Sequence, residues 1–324
     1  MAKSFNKSLA NEQQIKKQSS IKNFCIEFKK NKVLFFMLIP GLIVLLINNY
    51  LPMPGVLLAF KDYNYKDGFF KSAWCGFENF KYLFMSGKAW TITRNTIMYN
   101  VIFIIISITI PVALAIILNE LRNRKLAKFY QSVFFLPYFL SWVVVSYLVF
   151  ALLSSDMGVV NAALSKLGLK THNWYAEPKY WYFIIPFVNT WKWTGYDIVV
   201  YLASICGFDK SYYEAAAVDG ATKFQQITKI TIPLLKPIII ILTLLKVGKI
   251  FYSDFGLFYI VPKNSGAINS ATDVIDTYVY RGLRESADVG MSAAAGFYQA
   301  IVGFIVVCTA NYITKKIDKE NALF

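Results

Sequence analysis

EAAAVDGATKFQQITKITIPLLKP, residues 214–237, is a polar, alanine-rich, glycine-broken stretch set between two apolar runs. With the preceding SYY at 211–213 it opens on strong helix formers, and Glu214 stands near the helix start, where the dipole favours an acid. Asp219-Gly220 breaks that helix, because glycine takes the left-handed backbone that ends one. ATKFQQITKI then predicts a second short helix closed by Pro233. A helix–turn–helix between two apolar runs is a protruding knob. The small side chains of Ala215, Ala216 and Ala221 would let its backbone seat deep in another protein's groove.

Outward from the knob the chain is built for lipid. Of the 324 residues 56% are hydrophobic and 16% charged, against about 25% charged in soluble domains. The apolar residues fall into blocks long enough to cross a bilayer, at about 34–56, 95–118, 129–153, 180–206, 237–260 and 291–313. The reading is an all-α polytopic membrane protein of six transmembrane helices. It has a basic cytoplasmic tail at 1–32, a helical domain at 33–313 with the knob in a loop at about 207–236, and a short cytoplasmic tail at 314–324.

Charge orients this chain. The net charge is +15, which on a soluble protein would invite a nucleic-acid reading. With the N-terminus inside, however, the cytoplasmic segments hold 19 Lys and Arg and the outer ones 11, as the positive-inside rule requires. Basicity therefore serves anionic lipid, and no nucleic-acid partner is expected. No Ala-x-Ala-like site follows a short apolar core, so the first block reads as a retained anchor in the cell membrane. The four cysteines form no recognisable metal or disulfide pattern, and His172, the only histidine, reads as a solvated loop residue, so no metal site is expected.

Two blocks carry charges that lipid disfavours. VNTWKWTGYDIVVY places Lys192 and Asp197 inside the fourth, and LLKVGKIFYSDFGLFYIV places Lys246, Lys249 and Asp254 inside the fifth. Each such charge costs about 2.5–3.5 kcal/mol on insertion scales and tends to face a cavity or a bundle interior. On continuous helices Lys192 and Lys249 both lie about 18 Å from a block end, near mid-bilayer, and Lys246, Lys249 and Ser253 share a face. Two readings are open: a polar substrate pathway, or a structural one, with Lys192 paired to Asp197 or Asp254 or the charges snorkelling to the interface. Trp193, Tyr196, Tyr252 and Phe255 would supply flat faces that stack on sugar rings, or ordinary packing.

The knob resembles the EAA loop of permease subunits of ATP-binding-cassette importers, E-A-A-x3-G-x9-I-x-L-P. Glu214, Ala215, Ala216, Gly220, Ile230 and Pro233 match it, and Ile232 stands where the pattern has Leu. FFMLIPGLIVLLINNYLPMPGVLLAFKDYN near the N-terminus and ATDVIDTYVYRGL before the last block are similar to the LplB-type carbohydrate permeases, related to the maltose-transporter permeases. The resemblance covers most of the chain from residue 33 onward. It implies a type I importer fold of the MetI/MalF-G kind, with two homologous permeases, each docking its loop on a cytoplasmic ATPase dimer. An extracellular solute-binding protein would deliver an oligosaccharide. By that analogy Glu214, Ala215, Ala216, Asp219, Gly220 and Ala221 carry the coupling contacts, and the loop from Asp273 to Arg284 faces the binding protein. The large extracytoplasmic insertion of the maltose system's larger subunit is absent.

The sequence contains no G-x-x-x-x-G-K-[ST], so this chain cannot cradle nucleotide in that way, and ATP and Mg would sit on the partner ATPase. Other readings stand beside this one: a permease of the same build for a peptide or phosphate ester, a self-sufficient secondary transporter, and a membrane glycan enzyme. The last would need acids working together. Asp62, Asp67, Asp273, Asp276 and Asp288 read instead as scattered solvated carboxylates, with Asp273 and Asp276 three apart on one helical face.

Overall fold

The computed structural model describes residues 26–85 and 87–317. The expected tails lie outside these up to Cys25 and from residue 318 onward. The chain divides into a unit at 1–56 and a unit at 57–324.

In the first unit, α1 (Lys32–Leu45) runs through a π turn (Leu46–Tyr50), and none of its residues is buried. Pro52 and Pro54 cannot sit in a regular helix interior without freeing backbone groups. The chain tightens into a 3-10 run (Met53–Phe60), so that Lys32–Phe60 stays helical over 29 residues. A 3-10 turn asks less of the missing proline N–H groups than a regular helix interior does.

The second unit opens with an aromatic-rich segment. A two-residue ribbon, β1 (Lys61–Asp62) against β2 (Ala73–Trp74), encloses α2 (Gly68–Lys71), and α3 (Glu78–Met85) follows. Lys61 is buried and donates to the Phe69 carbonyl at 2.8 Å, while Phe70, Trp74 and Phe77 stay exposed.

The long elements then follow: α4 (Lys88–Glu120), α5 (Arg124–Phe135) with a 3-10 extension (Leu136–Phe139), α6 (Trp142–Leu153), α7 (Val159–Lys166) and α8 (Pro178–Cys206). After the knob come α11 (Ile232–Val247), α12 (Asn269–Thr272), α13 (Ile275–Arg284) and α14 (Val289–Ile317), the knob itself being α9 (Ser211–Val218) and α10 (Lys223–Gln226). Helix α8 packs along α4. Tyr99, Trp181, Ile185 and Phe258 form one core, Ala115, Ile198, Tyr201 and Leu235 a second, and Leu83, Ile92, Phe251 and Ile275 a third.

Among the described residues four helices are long and apolar enough to cross a membrane: Lys32–Phe60, Lys88–Glu120, Lys223–Val247 and Val289–Tyr312. The block at 129–153 is two helices, Arg124–Phe139 and Trp142–Leu153, meeting at 100°. The block at 180–206 is one 29-residue helix whose Asn, Thr, Trp, Lys192 and Asp197 dilute its apolarity.

Three expectations change. Pro233 does not close the second knob helix. A π turn (Ile227–Thr231) ahead of it lets the helix run on from Lys223 to Val247, since the longer turn absorbs the hydrogen bond that proline lacks. The fifth block is not one helix to residue 260: it stops at Val247, turns through 248–253 and resumes as a π turn (Gly256–Ile260). The helical spacing of Lys249 and Ser253 from Lys246, and the depth assigned to Lys249, therefore do not apply. Third, Asp273 has extended backbone before α13 begins, so it shares no helical face with Asp276.

Candidate functional site

The knob is held by its own backbone. The Ala221 N–H bonds the Ala216 carbonyl at 2.8 Å and the Gly220 N–H bonds the Ala217 carbonyl at 3.1 Å, the paired closure of a Schellman motif. Gly220 has φ +78°, the left-handed backbone that this closure requires. The next helix opens on a capping box between Thr222 and Gln225. Tyr213 and Thr231 join hydroxyls at 3.0 Å, closing the knob on itself. At its entrance the Ser211 N–H bonds Asp209 and holds that carboxyl below its ordinary range. Lys223 reaches Glu120 at the end of α4, 3.2 Å away.

Of the six residues expected to couple, Ala216, Asp219, Gly220 and Ala221 line one groove of about 270 Å³, with Gln225, Gln226, Lys229 and Ile230. Glu214 and Ala215 are exposed on α9, outside that lining. Val218 is 88% and Phe224 74% exposed, so the knob presents apolar tips beside its small residues.

Of the expected pathway residues, Lys192, Trp193, Tyr196 and Asp254 gather around the bend between α5 and α6. Lys192, midway along α8, is buried and donates to the carbonyls of Pro137 (3.4 Å), Tyr138 (3.1 Å) and Leu140. These belong to the open end of the α5 helix, where the last carbonyls run short of intrahelical donors; the Pro137 carbonyl also accepts the Leu140 N–H at 3.2 Å. Its ammonium also lies 5.1 Å from the Trp142 ring centroid. The Trp142 indole N–H bonds Asp254 at 2.9 Å, and the other Asp254 oxygen accepts the Gly256 and Leu257 N–H groups. Asp197 pairs with Lys246 at 2.8 Å, tying α8 to α11. The structural pairing foreseen for Lys192 thus takes another form: its direct partners are carbonyls, and Asp197 belongs to Lys246.

Trp193 and Tyr196 turn their rings toward Tyr138, at 5.4 Å edge-on and 5.1 Å stacked, and Tyr196 is 43% exposed. Lys249 and Tyr252 are exposed. Phe255 stacks on Tyr259 at 4.7 Å, with Tyr280 edge-on to both. The Ser253 N–H bonds Asp276 at 2.7 Å, and its hydroxyl is buried without a hydrogen-bond partner. Lys192 and Asp254 thus flank Trp142, and Trp193 and Tyr196 flank Tyr138, while Phe255 packs with Tyr259 and Tyr280 and Lys249 and Tyr252 lie in the turn beyond α11.

The acids of the DVID stretch are engaged, not solvated. Asp273 accepts from Thr277 at 2.8 Å and pairs with Arg281, and burial raises its carboxyl while Arg281 opposes that shift. Asp276 accepts from Ser253 and from Gln299 at 3.1 Å. The His172 ring is hydrogen-bonded to the Tyr180 hydroxyl at 3.0 Å, so it too is more than a solvated loop residue.

Tyr138 and Trp142 were not singled out from sequence. A signal was present: Ser141 follows Pro137 closely and its hydroxyl accepts the Val144 N–H, an N-cap inside an apolar run.

Residues 111–319 match the family described as binding-protein-dependent transport system inner membrane component. Protein LplB of Bacillus subtilis (strain 168) is 36% identical over 90% of this chain and 91% of its own length. The polygalacturonan/rhamnogalacturonan transport system permease protein YteP of the same organism is 32% identical over 94% of each chain. A chain in the crystal structure of a bacterial alginate transporter, in complex with an alginate pentasaccharide-bound periplasmic protein, superposes with a TM-score of 0.81. It is 34% identical, covering 90% of this chain and 97% of that one. This chain belongs to the binding-protein-dependent transport system inner membrane components, and it is a membrane permease rather than an enzyme.

Proposed function

We propose that this chain forms half of the pathway of an ATP-driven importer of oligosaccharides released from polysaccharides. A second, homologous permease would supply the other half. A cytoplasmic ATPase dimer would carry ATP and Mg, and an extracellular binding protein would present the sugar. The observation that carries this reading is the capped knob at 211–226, with small residues around a groove and apolar tips standing free. Such a surface asks for a partner.

The reading includes six spans with both termini in the cytoplasm, α8 and the bent α5–α6 pair each counting as one. The excess of Lys and Arg on one side supports it. The loop from Asp273 to Arg284 faces the binding protein through its exposed end at Leu283 and Arg284. Trp193, Tyr196, Lys249, Tyr252 and Phe255 meet the sugar, while Lys192, Ser253 and Asp254 stand behind them. Polygalacturonan and alginate, named for two of the relatives, are acidic, and an exposed Lys249 suits an acidic fragment.

Copurifying the complex, reconstituting it in liposomes and offering an oligogalacturonate, an alginate oligosaccharide, a dipeptide and a glycerol phosphate tests the proposal. Sugar uptake that requires ATP is expected. Uptake driven by an ion gradient without ATP would overturn it, and ATP-driven uptake of the dipeptide alone would move the substrate class. In the same assay Tyr196→Ala is expected to cost about 1 kcal/mol of sugar contact, read as a roughly fivefold rise in KM with ATP hydrolysis intact.

A further inference from the structure

Leu140 and Ser141 are the two extended residues (ψ 134° and 153°) between the inner and outer halves of the bent pair. Each half takes its hydrogen bonds from a different neighbour, although the Lys192 ammonium also lies against the Trp142 ring. The inner half hangs on α8, through the three carbonyls that Lys192 satisfies and through Gly195. A side chain at Gly195 would overlap the Phe134 carbonyl and stand 2.7 Å from the Phe135 Cα, so the two backbones touch there. The outer half hangs on the segment after α11. Trp142, first residue of α6, bonds Asp254, and the Ser146 hydroxyl bonds the Ile260 carbonyl at 2.8 Å. Gly256 leaves room for the Trp142 ring, which a Cβ there would strike.

Both carriers lead straight to the knob. Helix α8 ends at Cys206, five residues before α9, and the helix Lys223–Val247 begins inside the knob. The Asp197–Lys246 pair joins them below the bend. A route of helices and hydrogen bonds, interrupted on the outer side by the turn at 248–253, thus runs from the knob to both sides of Leu140–Ser141, the kind of contiguous network that carries coupling between distant sites.

We infer that Leu140–Ser141 is the hinge of the permease's outer half, and that the Trp142–Asp254 hydrogen bond is the positioning contact that makes this half follow the knob. The inference rests on the importer reading above. Trp142 touches neither nucleotide nor sugar; it transmits.

The test uses the complete complex with its binding protein in liposomes and an oligogalacturonate or alginate oligosaccharide, whichever the parent complex takes up. Trp142 is replaced by phenylalanine and, separately, by 3-benzothienylalanine, which keeps the bicyclic shape and removes only the N–H donor. Both are expected to lower sugar imported per ATP hydrolysed by about fivefold or more, with hydrolysis in the absence of binding protein unchanged. The benzothienyl variant guards against loss of folding, because its volume is that of tryptophan. A parent-like ratio in that variant overturns the inference, including the case where only phenylalanine uncouples, which would make ring shape the cause. Import by the parent without ATP overturns the importer reading instead, so the two failures are distinct.

Discussion

Gly220→Val is expected to cripple ATP-driven uptake while leaving the rest of the permease folded. The position has φ +78°, and a β-branched residue is a genuine outlier there. No atom lies within 4 Å of a Cβ built at this site, so the penalty is conformational and not steric. Left-handed backbone costs an ordinary L-residue about 1–2 kcal/mol, and valine more. Relaxing that strain requires releasing the Ala221–Ala216 and Gly220–Ala217 bonds that fix the angle between α9 and α10. The groove of Ala216, Asp219, Gly220 and Ala221 would then lose its shape. Uptake should fall by more than about tenfold, a barrier change of about 1.4 kcal/mol, with the permease still reaching the membrane in normal amount. Gly220→Asn, which tolerates the left-handed region, should keep most of the activity. Parent-like uptake in the valine variant would remove the coupling role of this turn.

Gly195→Ala is expected to damage the protein itself. The methyl group would meet the backbone of Phe134 and Phe135, and no rotamer change moves backbone. Either α8 separates from the α5 helix or Lys192 loses its grip on the Pro137, Tyr138 and Leu140 carbonyls. Overpacking of this kind costs about 1–3 kcal/mol, and each buried carbonyl left unpaired adds about 1–3 kcal/mol more. The expected result is a sharp loss of assembled complex on size-exclusion chromatography and a lowered melting temperature. Gly296→Ala, the same exchange inside α14 with nothing within 4 Å, is the control and should keep its yield. Equal behaviour of the two variants would mean that the close approach at Gly195 is not structural.

The knob was legible because everything that shapes it is local. Its two helices, its glycine stop and its Thr222–Gln225 cap are written within sixteen residues, 211–226, and bond mainly to one another. Apolar blocks were legible for a related reason: hydropathy sums along the chain. The bend at Leu140–Ser141 was not, because a hydropathy average over 129–153 is blind to a cap supplied by Lys192 from 52 residues away. The same blindness misplaced Lys249. Its depth assumed an unbroken helix, whereas the chain turns after Val247, where Ser253 and Asp254 find partners on α13 and α6. Pro233 was read as a stop because proline forbids a regular bond, but a π turn re-spaces the bonds around it. In each case the missing information lay on another element.

A gap in a spanning helix is ordinarily hydrated, and a file of water across a bilayer conducts protons and ions. Here the exposed carbonyls are met by the ammonium of Lys192, a residue only 5% accessible. A donor from the protein itself thus occupies the place that water would otherwise take. A cell burning fuel to concentrate a solute would gain a port that bends without short-circuiting its membrane potential.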